Sequence, residues 1–280
     1  MTGPRTLPAE RFSEVAALWE QVFGDDPAYI AEFLRLMRRE DRICSLEEGR
    51  VISALFSLKG SYRQPENNLD LRYIYAAATA PEYRGKGLMA DLLDYAEDLA
   101  REEGADGMIL VPQEEGLFRY YGRFGYQPAF YQENCLVARE NTCHNIKIDV
   151  SALLPEELCR IRSSVQRNGG YVPFLEGRES LIIKGLELSG GGGLFLRQND
   201  RCGYALWDRM DGILRIRELT FEDEQSGIDA VLSYAGAEQG LLTRPTFDRT
   251  GTPYGMVKTF TAAADEAFSS GGGYMNLMLD

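Results

Sequence analysis

Apolar side chains recur every three or four residues in two stretches near the start of the chain. This spacing places them on one face of a helix, so it predicts one helix over residues 8–23 and another from residue 26. Asp26-Pro27 is a typical helix opening. The apolar positions are Phe12, Val15, Ala16, Leu18, Trp19 and Val22 in the first stretch and Ile30, Phe33, Leu34 and Met37 in the second.

The rest of the front half is predicted to form strands around one long amphipathic helix. Residues 69–79 are apolar without strict alternation, which is typical of a central strand covered on both faces. Residues 87–103 carry apolar side chains at helical spacing, and Gly104 follows as a stop signal. The other predicted elements are strands at residues 42–47, 51–62, 106–111 and 129–138 and a short helix at residues 115–123.

The rear half repeats this order of hairpin, strand, helix and strand. Its predicted elements are a helix at residues 155–167, strands at 194–198, 202–208 and 214–221, a helix at 224–238 and a strand at 241–244. This order predicts an α/β fold whose sheet is mixed, with parallel and antiparallel strands as in α+β proteins. At 280 residues the chain is expected to form two domains, residues 1–140 and residues 141–280.

Charge narrows the choice of partners. The chain has 43 Asp and Glu against 30 Lys and Arg, a net charge of -13, and both halves are acidic. Proteins that bind a nucleic-acid backbone need clustered Lys and Arg, so no nucleic-acid partner is expected. Cationic small molecules fit better, although acidity can also serve solubility alone. No apolar run reaches the roughly 20 residues that span a bilayer, so no membrane partner is expected.

Five cysteines and one histidine limit the redox and metal chemistry. The cysteines are odd in number and far apart, and no secretory leader precedes Gly24, so we expect a reducing cytoplasm rather than a disulfide framework. Cys143-His144 has no companion cluster for a tetrahedral site, so no metal is expected. The sequence leaves open whether the chain forms a homo-oligomer.

The segment at residues 81–87 links the predicted central strand to the long helix. Amides at a helix N-terminus are unpaired, and glycines let a diphosphate approach the backbone, so this arrangement favours anion binding. Arg84 and Lys86 add positive charge within an acidic protein. The alternative is a tight turn with two solvated bases, because single glycine motifs often mislead.

Arg84, Gly87 and Met89 resemble the signature of the GNAT superfamily of acetyl-CoA-dependent N-acetyltransferases: Gln or Arg, two residues, Gly, one residue, Gly or Ala. Met89 departs from the last position. The resemblance covers about residues 8–138 and implies a GNAT fold followed by a degenerate GNAT-like α/β domain, as in the enhanced-intracellular-survival branch. It also implies acetyl-CoA as co-substrate, with its pantetheine arm along the central strand. The implied binding residues are Ala77, Ala78, Thr79, Arg84, Gly85, Lys86, Gly87, Leu88 and Met89.

Residues 121–126 look like the end of the second GNAT motif and map the family's tyrosine onto Tyr121. The resemblance implies that Tyr121 protonates the departing thiolate of CoA. For an ordinary phenol this transfer is uphill by about 1.5 pKa units, about 2 kcal/mol. Tyr120 is the adjacent alternative, and aromatic packing is a structural explanation for both residues.

The acceptor amine must lose a proton before it attacks, which costs about 4.6 kcal/mol at pH 7 for a lysine-like amine. Asp70, Glu114 and Glu115 are candidate bases by their predicted places at strand ends. The resemblance to tandem enzymes whose chain end points to the active site makes the terminal carboxylate of Asp280 a further catalytic candidate. An edge strand explains residues 274–279 equally well.

These features predict direct acetyl transfer to a primary amine of a cationic small molecule or of a lysine-like acceptor. Residues 221–227 of the rear half correspond to the phosphate-binding loop of the front half. The three acidic side chains of this segment would repel phosphate groups. The rear half is therefore expected to wall the substrate cleft. Two alternatives stay open: a non-catalytic acyl-CoA sensor, and a transferase that moves an aminoacyl group from tRNA on a doubled GNAT fold.

Overall fold

One mixed sheet of twelve strands runs through the part of the chain that the computed structural model describes, which is residues 2–65, 67–140, 148–164, 170–173, 177–247, 249–269, 271–276 and 279. The strands lie in the order β1-β2-β3-β4-β5-β12-β6-β11-β10-β9-β8-β7. Their bounds are β1 Thr2–Thr6, β2 Arg42–Glu47, β3 Arg50–Arg63, β4 Asn68–Thr79, β5 Gly107–Leu110, β6 Gln127–Ala138, β7 Asp149–Ala152, β8 Gly192–Gln198, β9 Arg201–Met210, β10 Ile213–Thr220, β11 Gln239–Thr246 and β12 Thr252–Thr259.

Helices cover both faces of this sheet. The front face carries α1, α2, α5 and α6, and the back face carries α3, α4 and α7. The helix bounds are α1 Phe12–Phe23, α2 Pro27–Leu36, α3 Leu88–Glu102, α4 Glu115–Gly122, α5 Pro155–Ser164, α6 Glu179–Leu188, α7 Glu224–Tyr234 and α8 Ala262–Phe268.

The two halves of the chain exchange their last strands. In each half a parallel pair forms the centre, β4 with β5 and β10 with β11. Strand β12 from the rear half pairs with β5, and β6 from the front half pairs with β11. Strands β12 and β6 also pair with each other, so the halves are related by a pseudo-twofold axis between these two strands.

The hydrophobic core follows this exchange. One cluster on the front face joins the halves, with Trp19 and Phe33 of the front half and Leu181 and Tyr204 of the rear half in the same buried set. Two separate clusters lie on the back face, one under α3 and α4 and one under α7. The front cluster therefore binds the halves into one folded body.

All the predicted helices and strands are present within the described residues, and the α/β fold with a mixed sheet is confirmed. Residues 165–167 of the helix predicted at 155–167 lie outside the described residues. Five further elements were not predicted: β1, β7, β12, α6 and α8. Strand β1 precedes the two predicted helices and pairs with β2. The segment from residue 274 is not a full edge strand where it is described, since Tyr274 makes only an isolated bridge to Tyr171.

Candidate active site

The central strand β4 and its parallel neighbour β5 separate at one end. Their pairing begins with Leu71 opposite Gly107 and ends with Ile74 opposite Leu110. Strand β5 stops there, whereas β4 continues to Thr79. The last five residues of β4 therefore have no partner strand on the β5 side, which leaves a backbone edge open in the middle of the sheet.

A β-bulge re-aims this open stretch. Strand β4 has one more residue than β3 between two of their pairs, Ala54 with Ala78 and Phe56 with Tyr75. Ala76 lies in the bulge with φ +46°, in the left-handed region that residues other than glycine rarely adopt. Such bulges are frequent next to active sites, because they turn a side chain or end a pairing locally.

A cleft of about 850 Å³, here called the loop cleft, opens between the end of β4, the start of α3 and α4. Gly85 and Gly87 line it with φ of +76° and +83°, and α3 begins directly after Gly87 without a side-chain cap. The first amides of α3 are therefore open to an anion. The Arg84 guanidinium donates to the Thr79 carbonyl, with Nε to O at 3.1 Å, and ties the loop to the strand end.

A second cavity of about 1020 Å³, here called the junction cavity, lies where the two halves meet on the front face. A neck of about 100 Å³ lies between it and the loop cleft and shares lining residues with both. The neck shares Asp25, Tyr75, Val111 and Gln113 with the junction cavity and Phe23, Ala77, Gln113, Leu117 and Tyr121 with the loop cleft. The three spaces therefore adjoin one another past the open end of β4.

Tyr121 stands where the loop cleft meets the neck, near the C-terminal end of α4. Its side chain is 8% exposed and packs edge-on against Tyr120 and Tyr126. Burial, and secondarily Tyr120, raises the pKa of Tyr121 to about 12. Transfer of the Tyr121 proton to a thiolate of pKa near 8.5 is therefore uphill by about 3.5 pKa units, or about 4.8 kcal/mol. For an ordinary phenol the same transfer is uphill by only about 1.5 pKa units.

Asp25 lines both the neck and the junction cavity. Its Oδ2 accepts a hydrogen bond from Trp19 Nε1 at 2.6 Å, which orients the half-buried carboxylate. The next residue, Asp26, has a different task, because its Oδ1 caps α2 by accepting from the amide of Ala28 at 2.8 Å. The sequence analysis identified Asp26-Pro27 as a helix opening but missed Asp25. Two adjacent carboxylates precede the helix and only one of them is needed as its cap, so the sequence did contain a signal for Asp25.

The front part of the chain, residues 4–129, matches the family of the acetyltransferase (GNAT) domain. This part is a GNAT acetyltransferase domain. The separated β4 and β5, the glycine loop before α3 and Tyr121 all lie within its matched residues. None of the curated proteins matches the chain.

Solved structures share the fold of nearly the whole chain at low sequence identity. A probable N-acyltransferase from Enterococcus faecalis is 14% identical with a TM-score of 0.73, over 92% of this chain and 73% of that one. Eis1 from Mycobacterium abscessus is 16% identical with a TM-score of 0.68, over 92% and 74%. A tandem GNAT protein from the clavulanic acid biosynthesis pathway is 11% identical with a TM-score of 0.56, over 91% and 98%. The fold is therefore a GNAT domain followed by a GNAT-like half.

Most of the predicted co-substrate residues of the GNAT domain line the loop cleft. Ala78 does not, because its side chain is buried in the front cluster and its carbonyl accepts from Ser53 Oγ at 2.9 Å. Lys86 does not either, since its ammonium lies over the Tyr83 ring, 4.5 Å from the centroid. The residues that do line the cleft are Ala77, Thr79, Arg84, Gly85, Gly87, Leu88 and Met89.

The candidate bases lie in different places. Asp70 lies near the start of β4, at the end opposite the glycine loop, where its carbonyl accepts from the Asp106 amide, so the structure does not bring it to the three spaces. Glu114 lines the loop cleft, and Glu115 lines none of the three spaces. Asp280 lies outside the described residues, and its neighbour Leu279 lines the junction cavity.

The GNAT-like half has no open anion site at the matching helix start. Asp223 caps α7, with its carboxylate accepting from the Ser226 amide and hydroxyl at 3.3 and 2.6 Å. The adjacent Glu222 and Glu224 pair with Arg201 and Arg244. Carboxylates thus occupy the positions where the GNAT domain offers free amides, which disfavours a diphosphate there.

Metal-binding groups and membrane-spanning helices were also sought. Across the described ranges no three His, Cys, Asp or Glu side chains are arranged to hold a metal ion. Cys143 and His144 lie outside those ranges, so the absence of a metal stays a prediction. No helix in the described part of the chain is both long and apolar enough to cross a membrane.

Proposed function

We propose that this protein transfers an acetyl group from acetyl-CoA to a primary amine of a small cationic molecule. The observation that carries the proposal is the series of adjoining spaces, the loop cleft, the neck and the junction cavity, which we propose form one path. One end of this path has the features of a diphosphate site, and the other end opens between the two halves. Tyr121 and Asp25 flank the narrow part between them.

The loop cleft fits acetyl-CoA, which GNAT domains generally use. The free amides at the start of α3 and the Arg84 guanidinium suit a diphosphate, since both place positive charge at a helix N-terminus. The unpaired edge of β4 around Ala77 suits an extended amide chain that adds to the sheet. Bound there, acetyl-CoA would supply the activated acetyl thioester.

The junction cavity suits the acceptor. Glu20, Asp25 and Asp26 line its wall at α1 and α2, which favours an ammonium group. Asp25 takes one proton from the amine, and the nitrogen lone pair forms the new bond to the acetyl carbon as the bond from carbon to sulfur breaks. The Tyr121 hydroxyl donates a hydrogen bond to the sulfur that receives the electron pair, which stabilises charge where it develops.

Because burial raises the pKa of Tyr121, a hydrogen bond to sulfur is easier than full proton transfer before the thiolate forms. The proton that completes the CoA thiol is then the second one, which the nitrogen loses as the amide forms, and Asp25 releases the first proton to water. A carboxylate at Asp280 is a second proposed base, supported by Leu279 at the junction cavity. We place the reaction in the cytoplasm, and we propose no nucleic-acid, membrane or metal partner.

Substitution of Tyr121 and Asp25 tests the proposal. Tyr121→Phe is expected to lower kcat for acetyl transfer about tenfold to a hundredfold while the Kd for CoA changes little, because the lost hydrogen bond acts on the breaking bond. Asp25→Asn is expected to lower kcat/KM for the amine more than Asp26→Asn does. The second variant removes a charge from the same cavity wall and keeps the helix cap, because asparagine caps as well as aspartate. Stopped assays with acetyl-CoA and a panel of diamines would measure both.

A non-catalytic acyl-CoA sensor would bind CoA equally well in all these variants and transfer no acetyl group. An aminoacyl transferase would retain tRNA at low salt, which the net charge of -13 disfavours. Acetyl transfer by the wild-type protein that is unaffected by both Tyr121→Phe and Asp25→Asn would contradict the proposed roles of these residues.

A further inference from the structure

Gln132 lies on β6, the strand that crosses from the front half into the sheet of the rear half, and lines the floor of the junction cavity. Its amide can present either a hydrogen-bond donor or an acceptor to a molecule in that cavity. Which of the two it presents depends on the partners of its other end. A chain of hydrogen bonds from the main chain of β10 answers this question.

The chain starts at the Arg217 carbonyl. Arg217 lies in a bulge of β10, where the ladder with β9 shifts its register, and the pairs with β11 end one residue earlier at Ile216. The Arg217 carbonyl accepts a hydrogen bond from Asn276 Nδ2 at 2.6 Å. A main-chain carbonyl can only accept, so the amide of Asn276 can have only one orientation.

This orientation passes to Gln132. Asn276 is 1% exposed, and with Nδ2 on Arg217 its Oδ1 faces Gln132 Nε2 at 3.0 Å. A second contact supports the same orientation of the Gln132 amide, because Nε2 also donates to the Met275 carbonyl at 3.5 Å. Both partners of this nitrogen are acceptors. In the described part of the chain, every hydrogen bond of the Gln132 side chain uses Nε2, which leaves Oε1 for a molecule in the cavity.

We infer that Gln132 is a specificity-determining residue that accepts a hydrogen bond from a second polar group of the acceptor amine. This inference rests on the proposed function. The acceptor class is an amine that carries a further donor, such as a hydroxyl, an amide N–H or another amino group, rather than a simple alkylamine. Asn276 is the positioning residue that holds the Gln132 amide in its accepting orientation.

The experiment compares alkylamines with the ω-hydroxy alkylamines of the same chain length. With wild-type protein, kcat/KM for acetyl transfer should be roughly two- to tenfold higher for the hydroxy compound of the best pair. Gln132→Met should bring this ratio close to one, since methionine fills the space without a strong acceptor. Gln132→Glu retains an accepting oxygen on the cavity side but turns its other oxygen toward two acceptors, Asn276 Oδ1 and the Met275 carbonyl. Its ratio should therefore fall between those of the wild-type protein and Gln132→Met.

Two further variants separate a specific effect from a general one. Gln21→Met changes an exposed position of α1 away from the three spaces and should leave the ratio at the wild-type value. Asn276→Leu should lower the ratio in the wild-type background and have no further effect on it in Gln132→Met, because Asn276 acts through Gln132.

A wild-type ratio of one, or a ratio that survives Gln132→Met, would overturn the inference while the proposed function stands. Failure of the wild-type protein to acetylate any amine of the panel would overturn the proposed function itself, and the inference with it. The KM for acetyl-CoA should be the same in all the Gln132 variants, since Gln132 does not line the loop cleft.

Discussion

The two glycines at the ends of α3 allow a matched test of the diphosphate site. Gly87 precedes the helix with φ +83°, and Gly104 follows it with φ +77°. A Cβ at either position would meet no atom within 4 Å. Alanine should therefore cost each variant only the left-handed backbone strain, about 1–2 kcal/mol. For a chain of this size the expected fall in Tm is about 2–8 °C in both.

The two variants should differ in their response to CoA, because only Gly87 lines the loop cleft. At a hundredfold excess over Kd, CoA should stabilise the wild-type protein by about 2.7 kcal/mol, and Gly104→Ala by the same amount. If a methyl group at residue 87 weakens binding tenfold, the gain at the same concentration falls to about 1.4 kcal/mol.

Thermal unfolding with and without CoA measures both quantities in one assay. The strain is read from the Tm values without ligand, and the binding effect from the ligand-induced shifts. Equal CoA-induced shifts in Gly87→Ala and Gly104→Ala would refute the assignment of the diphosphate to the start of α3, whatever the activity of the variants.

Three other predictions follow from buried groups. Glu218→Gln breaks the buried pair with Arg162, whose side chains are 2% and 7% exposed, and should lower the free energy of unfolding, measured with urea, by about 3–5 kcal/mol. Arg162→Met with Glu218→Leu should recover only part of this loss, because the buried Tyr204 hydroxyl also loses Glu218 as its acceptor. Burial raises the pKa of Cys44 to about 11, so a thiol reagent near pH 8 should modify the exposed Cys159 and Cys202 at once and Cys44 only after denaturation. Since the pKa of Tyr121 is raised to about 12, the phenol stays protonated below that pH, and any fall of kcat between about pH 8 and 10 should appear equally in Tyr121→Phe.

The sequence predicted the elements whose residues follow a clear period. Helix α3 and strand β4 have continuous apolar patterns, and their ends agree closely with the structure. Helix α6 was missed because Gly185 interrupts it, and β12 because Pro253 and Gly255 lie within eight residues. Strand β1 has no apolar residue at all and is held by its pairs with β2. Such segments take their structure from neighbours that no local pattern reveals.

The site divides in the same way. The loop at residues 81–87 and Tyr121 could be found because their residues lie close together in sequence. Gln132 and Asn276 could not, since strand exchange and the folding back of the rear half bring them to the junction cavity or its rim from distant parts of the chain. The residues proposed to set specificity for the acceptor therefore escape local motifs, whereas those proposed to hold the co-substrate do not.

The exchanged strands also affect how the chain can be made. During synthesis β5 must wait for its partner β12, because Thr259 lies 149 positions after Leu110. At ribosomal speeds that delay is roughly 7 to 30 s. Throughout it the apolar edge of β5 is an unpaired template for other nascent chains. Truncated proteins that stop before β12 should consequently depend on chaperones, and fusing the GNAT domain alone to a reporter would yield aggregates rather than a working half.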